Sequence, residues 1–80
     1  MADSRHEVFR TAHDYYDAAA RYWRAARKRE DMETPTQELL GRSLFYAEAL
    51  KKSSGEAARR RLRVLRWQVH ALTERYARRR

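Results

Sequence analysis

Between positions 58 and 76 the apolar residues of this chain return at every third or fourth place: Ala58, Leu62, Leu65, Val69, Leu72 and Tyr76. That spacing is one face of an α-helix and follows a heptad seam. No segment of the sequence alternates with the period of two that a half-buried strand requires, so no strand is predicted. Two further stretches repeat the helical pattern. Phe9, Ala12, Tyr16, Ala19, Trp23 and Ala26 form one seam, flanked by Val8, Tyr15 and Tyr22. The resulting aromatic face is wider than a simple two-helix seam needs. Thr36, Leu39, Leu40, Ser43, Tyr46, Ala47 and Leu50 share a face in the second stretch.

Each stretch opens on a capping-box pattern, in which a Ser or Thr side chain and a Glu or Gln three residues later satisfy orphan N–H groups of a first helical turn. These are Ser4 with Glu7, Thr34 with Gln37 and Ser53 with Glu56. Pro35 would then stand at the first helical position, where its missing N–H costs nothing. Together they predict helices over 5–31, 35–52 and 55–78. Short connections make neighbours antiparallel. The expected fold is all-α, one domain over 1–80: a small up-down-up three-helix bundle, or a long helical hairpin carrying a shorter third helix.

Charge is distributed unevenly over this frame. Up to Glu33 seven basic residues balance seven acidic ones, whereas from Ser53 onward nine arginines face only Glu56 and Glu74, which accounts for nearly all of the net +8. Sixteen Arg against three Lys, with no Ile and no Asn, fits the codon bias of a high-GC bacterium or phage, so the placement of the charge carries more weight than the choice of Arg. Charge on this scale governs association rather than fold. The chain has no cysteine, hence no disulfide framework or thiolate metal site. No apolar run approaches a membrane span and the opening residues lack the apolar stretch of a signal peptide, which predicts a cytoplasmic location without membrane contact.

Several residues fall outside the expected core faces. Trp67 projects away from the Leu62/Leu65/Val69 seam among Arg60, Arg63, His70 and Glu74, with Val64 and Ala71 forming a weaker apolar stripe beside it. It reads either as a ring lying on the bundle under the Arg63 guanidinium or as an anchor for a partner, since Trp beside Arg is enriched at interface hot spots. Phe45 points away from the second helix's core face, between Gly41 and Ala49, which fits either a close intramolecular approach or a partner groove. Arg59, Arg60, Arg61, Arg63 and Arg66 fan around the third helix with only Glu56 within one turn. Arg10–Asp14 and Asp17–Arg21, at i,i+4, read as structural pairs.

Chemistry is poorly represented. His6, His13 and His70 have no ligand spacing, two glycines cannot build a phosphate loop, and no serine lies in a nucleophile context. No catalytic, cofactor or metal site is expected. A helix-turn-helix over 39–68 would need an overlong second helix. The expected function is that of a non-enzymatic helical binding protein: an inhibitor, adaptor, regulator or assembly factor of a bacterial or phage complex. Its partner would be a protein with an acidic surface, met through Phe45, Arg59, Arg60, Arg63, Val64, Arg66, Trp67, His70 and Ala71. The alternative is sequence-nonspecific nucleic-acid binding, with Arg59, Arg60, Arg63, Arg66, Arg75, Arg78 and Arg79 on phosphates. A homodimer along Val64, Trp67 and Ala71 is compatible with both.

Overall fold

The computed structural model describes residues 4–79, with the side chains of Ser4 and Arg79 and all of Arg80 outside the described set. It is a three-helix bundle: α1 spans Ser4–Arg27, α2 Glu33–Lys52 and α3 Glu56–Arg79, with no strand among the described residues. The contacts fix the topology. Along α1 and α2, Tyr15 meets Tyr46 and Arg21 meets Glu38, so one index rises as the other falls and the helices are antiparallel. Tyr15 meets Gln68 and Trp23 meets Arg75, so α1 and α3 run parallel.

The middle helix organises the rest. Both α1 and α3 pack against α2, and their backbones do not pack against each other. Tyr15, Ala18 and Tyr22 from α1, Leu39, Tyr46 and Leu50 from α2, and Ala58 and Leu65 from α3 form the core cluster. Leu62, Val69 and Leu72 lie half-buried against it, so the seam expected on α3 is the one that faces α2. The molecule is long and thin, 43 × 19 × 15 Å.

On α1 the expected phase is wrong by about one residue. Thr11, Tyr15, Ala18, Tyr22 and Ala25 are buried, whereas Phe9, Tyr16 and Trp23 of the heptad seam are exposed. The alanines explain the choice: Ala18 and Ala25 admit α2 closely while Tyr15 and Tyr22 fill the space on either side. Thr11 is accommodated because its hydroxyl donates to the Glu7 and Val8 carbonyls. Ala49, expected beside Phe45 and off the core, is buried, because α2 packs on two sides at once.

The capping expectations also need correction. α1 stops at Arg27 rather than near position 31, because Arg29 takes a left-handed conformation (φ 55°). The Glu30 amide donates to the Ala25 carbonyl and the Arg29 amide to that of Ala26, which is the Schellman pattern. At the start of α2 the N-cap is Met32, which makes no side-chain cap bond; Thr34 already lies in the first turn. Asp31 Oδ1 accepts the Glu33 amide instead, at 3.1 Å. Pro35 therefore sits at the third helical position, where its amide would still lack an intrahelical acceptor. Before α3, Gly55 with φ 118° takes the place assigned to Ser53, its carbonyl accepting the Arg59 amide. The cap expected from Ser4 rests on a side chain outside the described set.

Candidate functional site: an aromatic trough between the outer helices

Because α1 and α3 flank α2 without closing on each other, a trough runs between them. It holds about 430 Å³ and is lined by Tyr15, Tyr16, Ala19, Tyr22 and Trp23 from α1, Leu39 from α2, and Trp67, Gln68, Ala71, Leu72 and Arg75 from α3. A smaller cleft lined by Tyr16, Tyr46, Arg60, Arg61, Val64, Leu65 and Gln68 continues it. Tyr16 and Gln68 belong to both, so the two form one surface. Only the tips of long side chains span it: the Tyr15 hydroxyl donates to Gln68 Oε1 at 3.2 Å, and the Arg75 guanidinium sits 5.7 Å from the Trp23 ring centroid.

The rings are arranged edge to face. Tyr15 and Tyr16 are 5.4 Å apart at 66°, Tyr16 and Tyr46 6.3 Å apart at 61°, and Tyr22 and Trp23 5.2 Å apart at 90°. Such edge-to-face pairs are favoured by the ring quadrupoles. Burial pushes the Tyr15 hydroxyl above its ordinary pKa, with Tyr16 and Tyr46 adding to the rise. Burial likewise raises Tyr46, more than Arg61 lowers it. Both phenols are therefore neutral at physiological pH, and the floor of the trough is uncharged. Among the described residues, every charged one lining it is an arginine: Arg60, Arg61 or Arg75.

Trp67 is 71 % exposed, Tyr16 60 % and Trp23 50 %. Val64 and Ala71 are exposed beside Trp67 on the trough side of α3. The guanidinium found over a Trp ring is that of Arg75 over Trp23, not Arg63 over Trp67. The remaining expected residues divide between other faces. Arg66 and His70 line a trough on the opposite, α2–α3 side, and His70 approaches Glu74 at 3.3 Å. Arg59, Arg63 and Arg78 are exposed.

Phe45, 65 % exposed, belongs to a third face with Glu7, Arg10, Asp14, Arg42, Glu48 and Lys52, where the charges are mixed. A side chain built at Gly41 would meet nothing within 4 Å, so no close approach explains that glycine. Arg10 pairs with Glu7 at 3.8 Å rather than with Asp14, and Arg21 bridges Asp17 at 3.0 Å and Glu38 at 3.6 Å. Among the described residues none of Arg59, Arg60, Arg61, Arg63, Arg66, Arg75 and Arg78 is in an ion pair. The first-helix carboxylates that could have answered them are turned away with α1.

The sequence reading missed Tyr16 and Trp23 as trough residues and left Arg61 at the core border. The signal was present in the excess width of the α1 aromatic face. No helix among the described residues is long and apolar enough to cross a membrane, and no three His, Asp or Glu side chains there converge on a metal-sized site. No protein-family model, curated protein or solved structure matches this chain.

Proposed function

We propose that this protein is a non-enzymatic, cytoplasmic binding protein, an adaptor, inhibitor or assembly factor that recognises an acidic protein through α3. One observation carries the reading: Trp67 stands exposed on a helix whose described arginines have no ion-pair partner among the described residues. Burying an exposed Trp beside Arg is the usual anchor of a protein interface. Arginines left unanswered by their own fold are suited to carboxylates, which they bind in fork geometry. His70 and Arg66, on the far side of α3, fall outside the contact centred on Trp67, and Phe45 would serve a separate contact.

A second reading, sequence-nonspecific binding to nucleic acid, is favoured by Arg59, Arg63 and Arg78, which are exposed and have no ion pair among the described residues. Phosphate contacts of this kind weaken steeply with salt. The test compares the parent with Arg60→Glu/Arg63→Glu and Trp67→Ala for capture of macromolecules from a nuclease-treated high-GC bacterial lysate, alongside a salt titration with generic duplex DNA. The protein-binding reading expects a captured protein that both variants lose, and weak DNA binding. DNA binding with a steep salt slope, abolished by the double reversal and indifferent to Trp67→Ala, replaces it with the second reading. Capture unchanged in both variants overturns the proposal.

A further inference from the structure

Resting on the protein-binding reading, we infer that the trough between α1 and α3 is the seat of a fourth helix, an amphipathic and acidic helix belonging to the partner protein. Two observations from different parts of the chain meet here. The first is the heptad seam Phe9, Ala12, Tyr16, Ala19, Trp23, Ala26 on α1. It has the spacing with which one helix receives another, yet α2 occupies the adjacent face and leaves Phe9, Tyr16 and Trp23 exposed. The second is the stripe Val64, Trp67, Ala71 on α3, also at spacings of three and four and also exposed. The two seams flank one groove, opposite the side on which α2 lies. A helix set there would contact α1 and α3 as α2 does, completing a four-helix bundle.

The dimensions agree. Along α3 the lining residues run from Arg60 to Arg75, an advance of about 22 Å at 1.5 Å per residue, so the seat accommodates roughly four turns. The charges choose the occupant. Among the described residues, Arg60, Arg61 and Arg75 are the only charged ones lining the groove, and none of them is ion-paired there. A helix with Leu-like residues on its seam and carboxylates along its flanks would satisfy them, as e and g positions do in a coiled coil.

A second copy of this chain fits poorly, since it would bring arginine-lined grooves together. Nucleic acid fits poorly as well. Stacking of successive bases needs several open ring faces, and the groove offers that of Trp67 alone, since Tyr16 is held edge-on between Tyr15 and Tyr46 while Arg75 covers the ring of Trp23.

The test uses the full chain and two hydrocarbon-stapled peptides of about five turns, identical in a Leu seam at a and d but carrying Glu or Lys at e and g. Binding is followed by Trp emission and calorimetry. The Glu peptide is expected to bind and the Lys peptide not. Trp67→Ala is expected to weaken binding about 30-fold, the equivalent of an interface hot spot, and Val64→Glu to do the same. Both positions are exposed, and circular dichroism checks that each variant keeps its helices. Phe45→Ala, on the third face, should leave binding unchanged.

Failure of the Glu peptide to bind, equal binding of the Lys peptide, or indifference to Val64→Glu overturns the inference. So does a single-stranded oligonucleotide whose binding Trp67→Ala abolishes, or a concentration-dependent dimer that the same substitution dissolves. If capture from lysate is lost in Arg60→Glu/Arg63→Glu while neither peptide binds, only the helical occupant is wrong. If capture survives, the protein-binding reading itself is wrong.

Discussion

α1 and α3 are both 24 residues long and both lie against α2, yet they meet it differently. On α1 an alternation of large and small side chains, Tyr15, Ala18, Tyr22 and Ala25, is buried along most of the helix. Among the described side chains of α3 only Ala58 and Leu65 are buried, and Leu62, Val69, Leu72 and Tyr76 remain half-covered. The arginines account for the difference. Arg61 and Arg66 border the α3 seam, and a guanidinium must keep its head in water while its stem lies along the apolar surface. α3 is therefore held along one edge, whereas α1 is seated. The helix that buries least also carries the arginines without a described ion-pair partner and the more exposed of the two tryptophans, whereas α1 exposes Phe9, Tyr16 and Trp23 on the face its seat leaves open.

The sharpest break of this comparison uses two adjacent aromatics on α1. Tyr22 is buried and its neighbour Trp23 is half exposed. Tyr22→Ala removes a large side chain from the α1–α2 interface and is expected to cost about 3–5 kcal/mol, a large share of what a domain of this size has. Trp23→Ala forfeits an exposed Arg75 contact and one edge-to-face ring pair, together about 1–2 kcal/mol. Urea unfolding of both variants decides it. Trp23→Ala as the more damaging substitution would restore the heptad seam as the core face and close the trough.

Leu65 is the next lever, as the one large side chain that α3 buries. Leu65→Ala should cost about 2–5 kcal/mol, and Arg66→Ala, exposed and unpaired, should stay within about 0.5 kcal/mol. Equal effects would mean that α3 is not anchored through that seam. The joint that carries α3 has its own weak point. Gly55 adopts φ 118°, a conformation costly for any L side chain, so Gly55→Ala should cost about 1–2 kcal/mol although its Cβ would meet nothing. Gly41→Ala, mid-helix and equally uncrowded, should instead stabilise by about 0.5–1 kcal/mol. Thermal melts of the pair check the opposite signs.

What was legible in the sequence follows from how many interactions voted for each feature. Helix number and the phase of α3 were readable because six aliphatic or aromatic positions agreed on one face and arginines filled the others. The phase of α1 was ambiguous because Tyr15 and Tyr22 lie on one stripe and Tyr16 and Trp23 on the next, both with heptad spacing. Hydrophobicity does not distinguish them; the fit of Ala18 and Ala25 against α2 does, and that is a property of two helices together. Grouping Phe45, Arg66, His70 and Trp67 as one contact failed for a similar reason. A helical projection shows which residues leave the core face but not which neighbour lies on either side, and the structure distributes these four over three troughs.

The smallest predicted effect tests the other joint, which leads into the well-buried pairing of α1 with α2. The pattern Thr34-Pro35-Thr36-Gln37 fits a capping box, but Thr34 lies inside the first turn of α2 and Asp31 Oδ1 accepts the Glu33 amide at 3.1 Å. An ionised acceptor at a helix start also faces the positive end of the helix dipole. Asp31→Ala is therefore expected to cost about 1 kcal/mol, and Thr34→Ala, which removes no acceptor, no more than about 0.5 kcal/mol. Melting midpoints of the two variants at neutral pH rank them. If Thr34→Ala is the costlier one, α2 begins a residue or two later in solution, and Pro35 returns to the first helical position.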